Sequence, residues 1–258
     1  ATSSVEEALR GLVAVGARPD AITNCLNFGN PEKPDRLGVF REAVRGLGDI
    51  CRALEIPIPS GNVSLYNEGS GGGGVLPTPM ILATGIIDDA RKAVSADFKE
   101  PGNRIYIVGS TKDEMGGSLL FRKYGGSGGA VPRSDPAEFK RISGKLLSAM
   151  DKRLVRSCHD CSDGGAAVAI AEMCLSGRVG AEIDVPESVW LYSESNTRWI
   201  VEIEESAAAG FEKVMGGDAK LIGKTGGDSL AIAGARIPVS DLYESWSRPL
   251  WNVMGGAA

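Results

Sequence analysis

The sequence predicts an α/β (α+β) chain in two parts, one over residues 1–100 and a layered α/β part over residues 101–258. Three observations carry this. A length of 258 residues exceeds the usual ~100–150 of one domain. Helix-period and strand-like segments alternate after residue 100. Between the parts, a buried strand pattern gives way over residues 88–103 to a charged, irregular stretch.

Ser4 followed by Glu7 reads as a capping box, and Val5, Leu9, Leu12 and Val13 recur at helical spacing until Gly16. The chain is expected to begin on a helix. An α/β part rarely starts without a strand, so a truncated or proteolysed chain is expected. Residues 22–34 and 60–68 read as two polar, glycine-containing loops. Between them, Leu37, Phe40, Val44, Leu47, Ile50 and Leu54 mark an amphipathic helix over 35–54, closed by Ile56-Pro57. Residues 79–87 read as a buried strand. Helices are expected over 113–124, 137–153, 165–176, 206–215 and 239–246, with strands over 105–109, 181–185, 199–204, 219–223 and 229–233. No internal repeat is visible.

Hydrophobic and charged contents of 43% and 24% are those of a globular protein with real cores. A net charge of −5, 6% aromatic residues and no run of Lys or Arg argue against a nucleic-acid surface. No stretch approaches the ~20 apolar residues of a membrane helix, and the opening Ala1-Thr-Ser-Ser-Val-Glu-Glu lacks the basic and hydrophobic regions of a signal peptide. Five cysteines, an odd number in a chain of this size, fit free thiols in a reducing compartment. Cytoplasmic residence is the expectation.

Polar side chains concentrated between apolar segments often line a site. Gly61-Asn62-Val63-Ser64 offers an amide carbonyl, a hydroxyl and an open glycine backbone, a set able to hold a metal-bridged phosphate. It is equally the composition of a plain turn. Asn24, Asn27 and Asn30 could bind a base or form Asx turns. Cys158-His-Asp-Cys-Ser-Asp-Gly-Gly165 lacks the four ligands of a structural zinc site and the context of a redox pair. It reads better as an acidic loop opening a helix, with Asp160 and Asp163 available to Mg²⁺ and the glycine amides to phosphate, or with Asp163 as a simple N-cap. Ser193, Ser195 and Arg198 suit either a phosphate loop or an ordinary strand entry. Gly116-Gly117-Ser118 could be tight packing or an anion loop. Gly71-Gly-Gly-Gly74 has neither P-loop nor dinucleotide spacing and reads as a flexible loop.

Jointly, residues 22–34 and 60–68 resemble the third-quarter signature of phosphoribosylformylglycinamidine synthase, the ATP-dependent amidine-forming enzyme of purine biosynthesis. Pro77-Thr-Pro79, Met115-Gly-Gly-Ser118, His159-Asp-x-Ser-Asp-Gly-Gly165, Ala171-Glu-Met173 and Ser193-Glu-Ser195 follow in family order, so the resemblance to its small-type synthetase subunit covers nearly the whole chain. The superfamily is that of aminoimidazole ribonucleotide synthetase. The resemblance implies the second of two homologous halves: residues 1–100 as part of its N-terminal, ATP-site domain, and 101–258 as its C-terminal α/β domain.

By resemblance, Gly61 contacts ATP, Asn62 ligates Mg²⁺ and Ser64 contacts formylglycinamide ribonucleotide. Asn24 stands where the family usually has an Asp that contacts ATP; the amide keeps the size and loses the charge. Asp160, Asp163, Ser193 and Ser195 correspond to an auxiliary nucleotide or phosphate site, working or degenerate. The implied reaction converts the ribonucleotide plus ammonia to formylglycinamidine ribonucleotide through an ATP-activated amide oxygen. The implied partners are the other half of the synthetase, which carries the family's catalytic histidine, a glutaminase subunit that supplies the ammonia, and a small accessory subunit; neither nucleic acid nor membrane is involved. A lone half is expected to be inactive and to self-associate through exposed apolar surface. The alternative is a noncatalytic nucleotide-binding or assembly module.

Overall fold

The computed structural model describes residues 1–69, 71, 73–185 and 188–254. It opens on helix α1 (Thr2–Ala14), whose Val5, Leu9 and Val13 stripe is fully buried. Ala1 is the N-cap and makes no side-chain bond, so the expected Ser4–Glu7 capping box does not form; Ser4 already lies within the helix.

Strands β1 (Arg18–Asn27), β2 (Ser60–Ser64) and β3 (Thr78–Ile86) form a sheet of order β2-β1-β3. The first stretches of both expected loops are therefore strands. Ile22 and Leu26 face the core while Thr23, Cys25 and Asn27 alternate outward, and a sheet covered on one face only gives a half-polar pattern that reads as loop. Helix α2 (Pro34–Leu54) connects β1 to β2, because two parallel strands need a long crossover. Proline at its first turn starts it, and Glu55, with φ of 60°, ends it in the left-handed region. Leu47, Ile50, Cys51 and Leu54 are buried, whereas Leu37 and Val44 of the expected stripe remain exposed.

The second part is a seven-stranded sheet of β4 (Arg104–Val108), β5 (Ser157–Asp160), β6 (Ala181–Ile183), β7 (Trp199–Ile203), β8 (Ala219–Thr225), β9 (Ser229–Ile232) and β10 (Ala235–Pro238), ordered β10-β9-β6-β8-β4-β7-β5. All neighbours are antiparallel except β6 and β9. The short helices α3 (Leu119–Tyr124) and α6 (Ser188–Tyr192) sit in loops. Helices α4 (Pro136–Asp151) and α7 (Ala208–Met215) cover one face, with α5 (Gly165–Gly177) and α8 (Val239–Val253) on the other. Strand β4 shows the division: Tyr106 and Val108 pack towards α4 and α7, Ile105 and Ile107 towards α5.

The first core does not stop near residue 100. It runs from α1, β1 and α2 into α4, α7 and β7, and the Trp199 indole donates to the Arg10 carbonyl at 3.1 Å. The connection is held by Glu202, fully buried on β7, whose carboxylate accepts from the Lys99 amide (2.9 Å), the Asn103 side chain (2.7 Å) and the Ser157 hydroxyl (2.8 Å).

Strands β5 and β10 and helix α6 were not expected from the sequence. Helix α3 is shorter than the expected 113–124, since Gly117 adopts φ of 79° and Ser118 caps the helix only afterwards. Ser70 and Gly72 of the glycine-rich stretch lie outside the described residues. Among those described, no helix is long and apolar enough to cross a membrane.

Candidate functional site

The parallel register of β1 and β2 places Asn24 opposite Gly61, Cys25 opposite Asn62 and Asn27 opposite Ser64. Since side chains alternate along a strand, these pairs divide between two faces. On the open face, the Asn62 amide nitrogen donates to the Ser64 hydroxyl at 3.1 Å and the Cys25 sulfur at 3.4 Å, and Asn27 donates to the same sulfur at 3.6 Å. On the other, the Asn24 side chain lies over Gly61. Strand β2 is the edge of its sheet and exposed along most of its length. A ligand gripping that edge can reach both faces.

With its nitrogen so engaged, exposed Asn62 has its carbonyl oxygen without a hydrogen-bond donor among the described residues. This donor set is neutral, and among the described residues no cluster of three His, Cys, Asp or Glu is placed to hold a metal. It therefore suits Mg²⁺ only as one ligand of an ion that substrate phosphates and waters otherwise surround.

The flanking loops are fixed by Glu68, whose carboxylate accepts from Lys33 Nζ at 2.9 Å and the Asn30 amide at 3.3 Å. The Asn30 side chain forms the Asx-type turn, accepting from the Glu32 amide at 2.8 Å.

The second group, Asp160, Asp163, Ser193 and Ser195, belongs to the large sheet. Asp160 ends β5 between His159 (3.4 Å), Ser162 (2.5 Å) and Arg10 (3.7 Å). Burial disfavours its ionisation, but these partners hold its pKa down to about 2. His159 also faces Glu172 at 3.0 Å; burial opposes its charge, and the two carboxylates outweigh that, raising it to about 9. Asp163 is exposed and is not the N-cap of α5. That position belongs to Gly164, with φ of 80°.

Ser193 and Ser195 are buried and bond internally: Ser193 donates to the Lys112 carbonyl at 2.7 Å, and Ser195 accepts from the Lys112 amide at 3.0 Å. The Arg198 guanidinium binds the Ser195 and Ser193 carbonyls and the Thr111 hydroxyl. These are the bonds of a strand entry. Cys158 and Cys161 are buried thiols whose pKa values burial raises, that of Cys161 to about 11, unlike a reactive pair.

Three further participants are not among the sequence-derived site residues, although Cys25 and Glu194 lie within the sequence motifs. Cys25 contacts the Asn62 amide, and period-two alternation from Thr23 to Asn27 would have placed it. Glu194 accepts from the Leu119 and Gly164 amides at 2.7 and 2.8 Å, tying two glycine-bearing loops together. Arg10 reaches from α1 to Ser162 and Asn196, a long-range contact without local signal.

Residues 1–87 match the family described as AIR synthase related protein, N-terminal domain, and residues 100–233 match its C-terminal domain. The chain belongs to the AIR synthase related family. Within it, the chain is homologous to PurL, the phosphoribosylformylglycinamidine synthase subunit. It is 41% identical over 265 residues to that subunit from Anaeromyxobacter sp. (strain Fw109-5), covering 95% of this chain and 34% of that protein. The subunit of Methylocella silvestris is 42% identical over 255 residues, with 94% and 35% covered. The chain thus spans about a third of the length of these relatives.

Among solved structures, T. maritima PurL complexed with ATP superposes with a TM-score of 0.74 at 20% identity, over 94% of this chain and 40% of that one. Hydrogenase maturation protein HypE gives 0.65 at 18%, over 92% and 81%. These likenesses are of fold.

Proposed function

We propose that this chain works as part of phosphoribosylformylglycinamidine synthase, an ATP-dependent C–N ligase of purine biosynthesis in the cytoplasm. It would form the second half of the synthetase, with residues 1–100 completing an ATP-site domain and 101–258 its C-terminal partner. The observation that carries this reading is the 41% identity, across 95% of the chain, to the subunit of that name.

The β1–β2 pair supports a site role. Gly61 leaves edge backbone open to a nucleotide phosphate, Asn62 keeps a carbonyl oxygen without a protein donor, and Ser64 supplies a neutral hydroxyl beside it. Bound Mg²⁺ would neutralise phosphate charge. The chemistry implied by the family follows: ATP activates the amide oxygen of formylglycinamide ribonucleotide, and ammonia, delivered by a glutaminase subunit, displaces phosphate to give the amidine. A small accessory subunit completes the assembly. Of the four auxiliary-site residues Asp163 alone is exposed, while Ser193 and Ser195 bind backbone.

The test is ammonia-dependent ADP release from Mg-ATP and formylglycinamide ribonucleotide, with this chain alone and with a separately expressed first half. Activity on mixing is expected. Silence with both folded and bound would favour the second reading, a noncatalytic binding or assembly module. That reading draws on Asn24, an uncharged amide lying against Gly61.

A further inference from the structure

Helices α4 and α7 enclose a surface groove of about 810 Å³ away from the β1–β2 edge. Its rails are basic, Arg141, Lys145 and Lys152 from α4 and its C-terminal turn and Lys213 from α7, on a chain whose net charge is −5. Between them the lining is Gly144, Ser148, Leu154, Gly210 and Val214, small and mostly apolar. Gly144 has no atom within 4 Å of where a β-carbon would stand, and Gly210 faces the Leu154 side chain. Positive charge gathered along one groove of an acidic protein favours a negative partner there.

The local carboxylates leave this charge only partly compensated. Asp218 binds both Arg141 and Lys145, the latter at 2.6 Å. Asp151, next to Lys152, pairs with Lys92 at 3.0 Å, and Glu212, next to Lys213, accepts from the Tyr106 hydroxyl at 2.6 Å. Lys152 and Lys213 make no ion pair among the described residues.

From Arg141 to Lys152 is three turns of helix, ~16 Å at 1.5 Å per residue, more than one phosphate or carboxylate can bridge. Four cations without an exposed aromatic residue in the groove do not suit a nucleic-acid strand, which needs stacking as well as charge. We infer that this groove docks a carboxylate-rich, partly apolar segment of another protein, its acids on the rails and its small apolar side chains over Gly144 and Gly210.

The test is fluorescence anisotropy of a labelled Glu/Ala/Leu helical peptide of about a dozen residues. Three proteins are compared: the intact chain, Lys152→Glu/Lys213→Glu, and Lys123→Glu on α3 as control. Exposed surface changes of this kind leave folding intact, which circular dichroism checks. The expected result is saturable binding that the double reversal weakens at least tenfold, that Lys123→Glu leaves unchanged, and that ~0.15 M salt reduces. Absence of binding, or equal binding by the double reversal, overturns the inference. Tighter, reversal-sensitive binding of a single-stranded oligonucleotide or of pyrophosphate overturns it in favour of that ligand.

Discussion

The side-chain oxygen of Asn24 lies 2.5 Å from the position that a β-carbon on Gly61 would occupy. The two residues are register partners on β1 and β2, so a side chain added at 61 must displace the Asn24 amide. Gly61 is exposed and the Asn24 amide is the movable end of a short side chain, so Gly61→Ala should cost at most ~1 kcal/mol, and Asn24→Ala should relieve that cost in the double variant. Thermal denaturation of the four proteins of the cycle reads the coupling. Additive effects would show that the contact is not binding the pair together.

Cys25 is the half-buried thiol of five; the others are buried. One fast-reacting sulfhydryl per chain is therefore expected with N-ethylmaleimide, located by peptide mass at Cys25. Its sulfur touches the Asn62 amide, so under the proposed role of this strand pair Mg-ADP should slow the labelling several-fold. Labelling indifferent to nucleotide would move the nucleotide away from this strand pair.

His159 and Asp160 give the stability a pH signature. The His159 pKa is raised from 6.5 to about 9, so its contribution is full below 6.5 and lost as pH rises through about 9. The Asp160 pKa is lowered from 3.8 to about 2, so its contribution is full above 3.8 and lost as pH falls through about 2. Urea midpoints should be highest between those limits. His159→Gln should cost ~1–2 kcal/mol near neutrality and flatten the alkaline decline. An unchanged alkaline limb in that variant would assign the decline elsewhere.

The uncovered face of the three-stranded sheet exposes Met80, Leu82 and Ile86 of β3. Such a patch favours association. Sedimentation equilibrium should show concentration-dependent self-association that Leu82→Lys reduces. A monomer at every accessible concentration would contradict it.

Much of the fold was legible. Helix α2 announced itself by its apolar spacing, and β3 and β4 by short apolar runs. What misled was polarity: Thr23, Cys25 and Asn27 on β1 look like loop residues, because periodicity cannot reveal that one sheet face is left open. In the candidate site, the motif from Gly61 to Ser64 was found by composition and resemblance. Its division between two faces needed the register with Asn24 and Cys25. The internal bonds of Ser193 and Ser195 to Lys112 were out of reach, since a hydroxyl in sequence does not declare whether it faces ligand or backbone.

Helix α1 belongs by sequence to the first part and by packing to both, with Trp199 bonded to its backbone and Glu202 gripping the connection beyond it. The seam in the sequence is consequently not a seam in the solid. A protease nick near residue 100 would leave two pieces travelling together, as a tenon holds in its mortise after the glue is cut. Expressed without α1, the large sheet would lose the partner of its buried Trp199 indole.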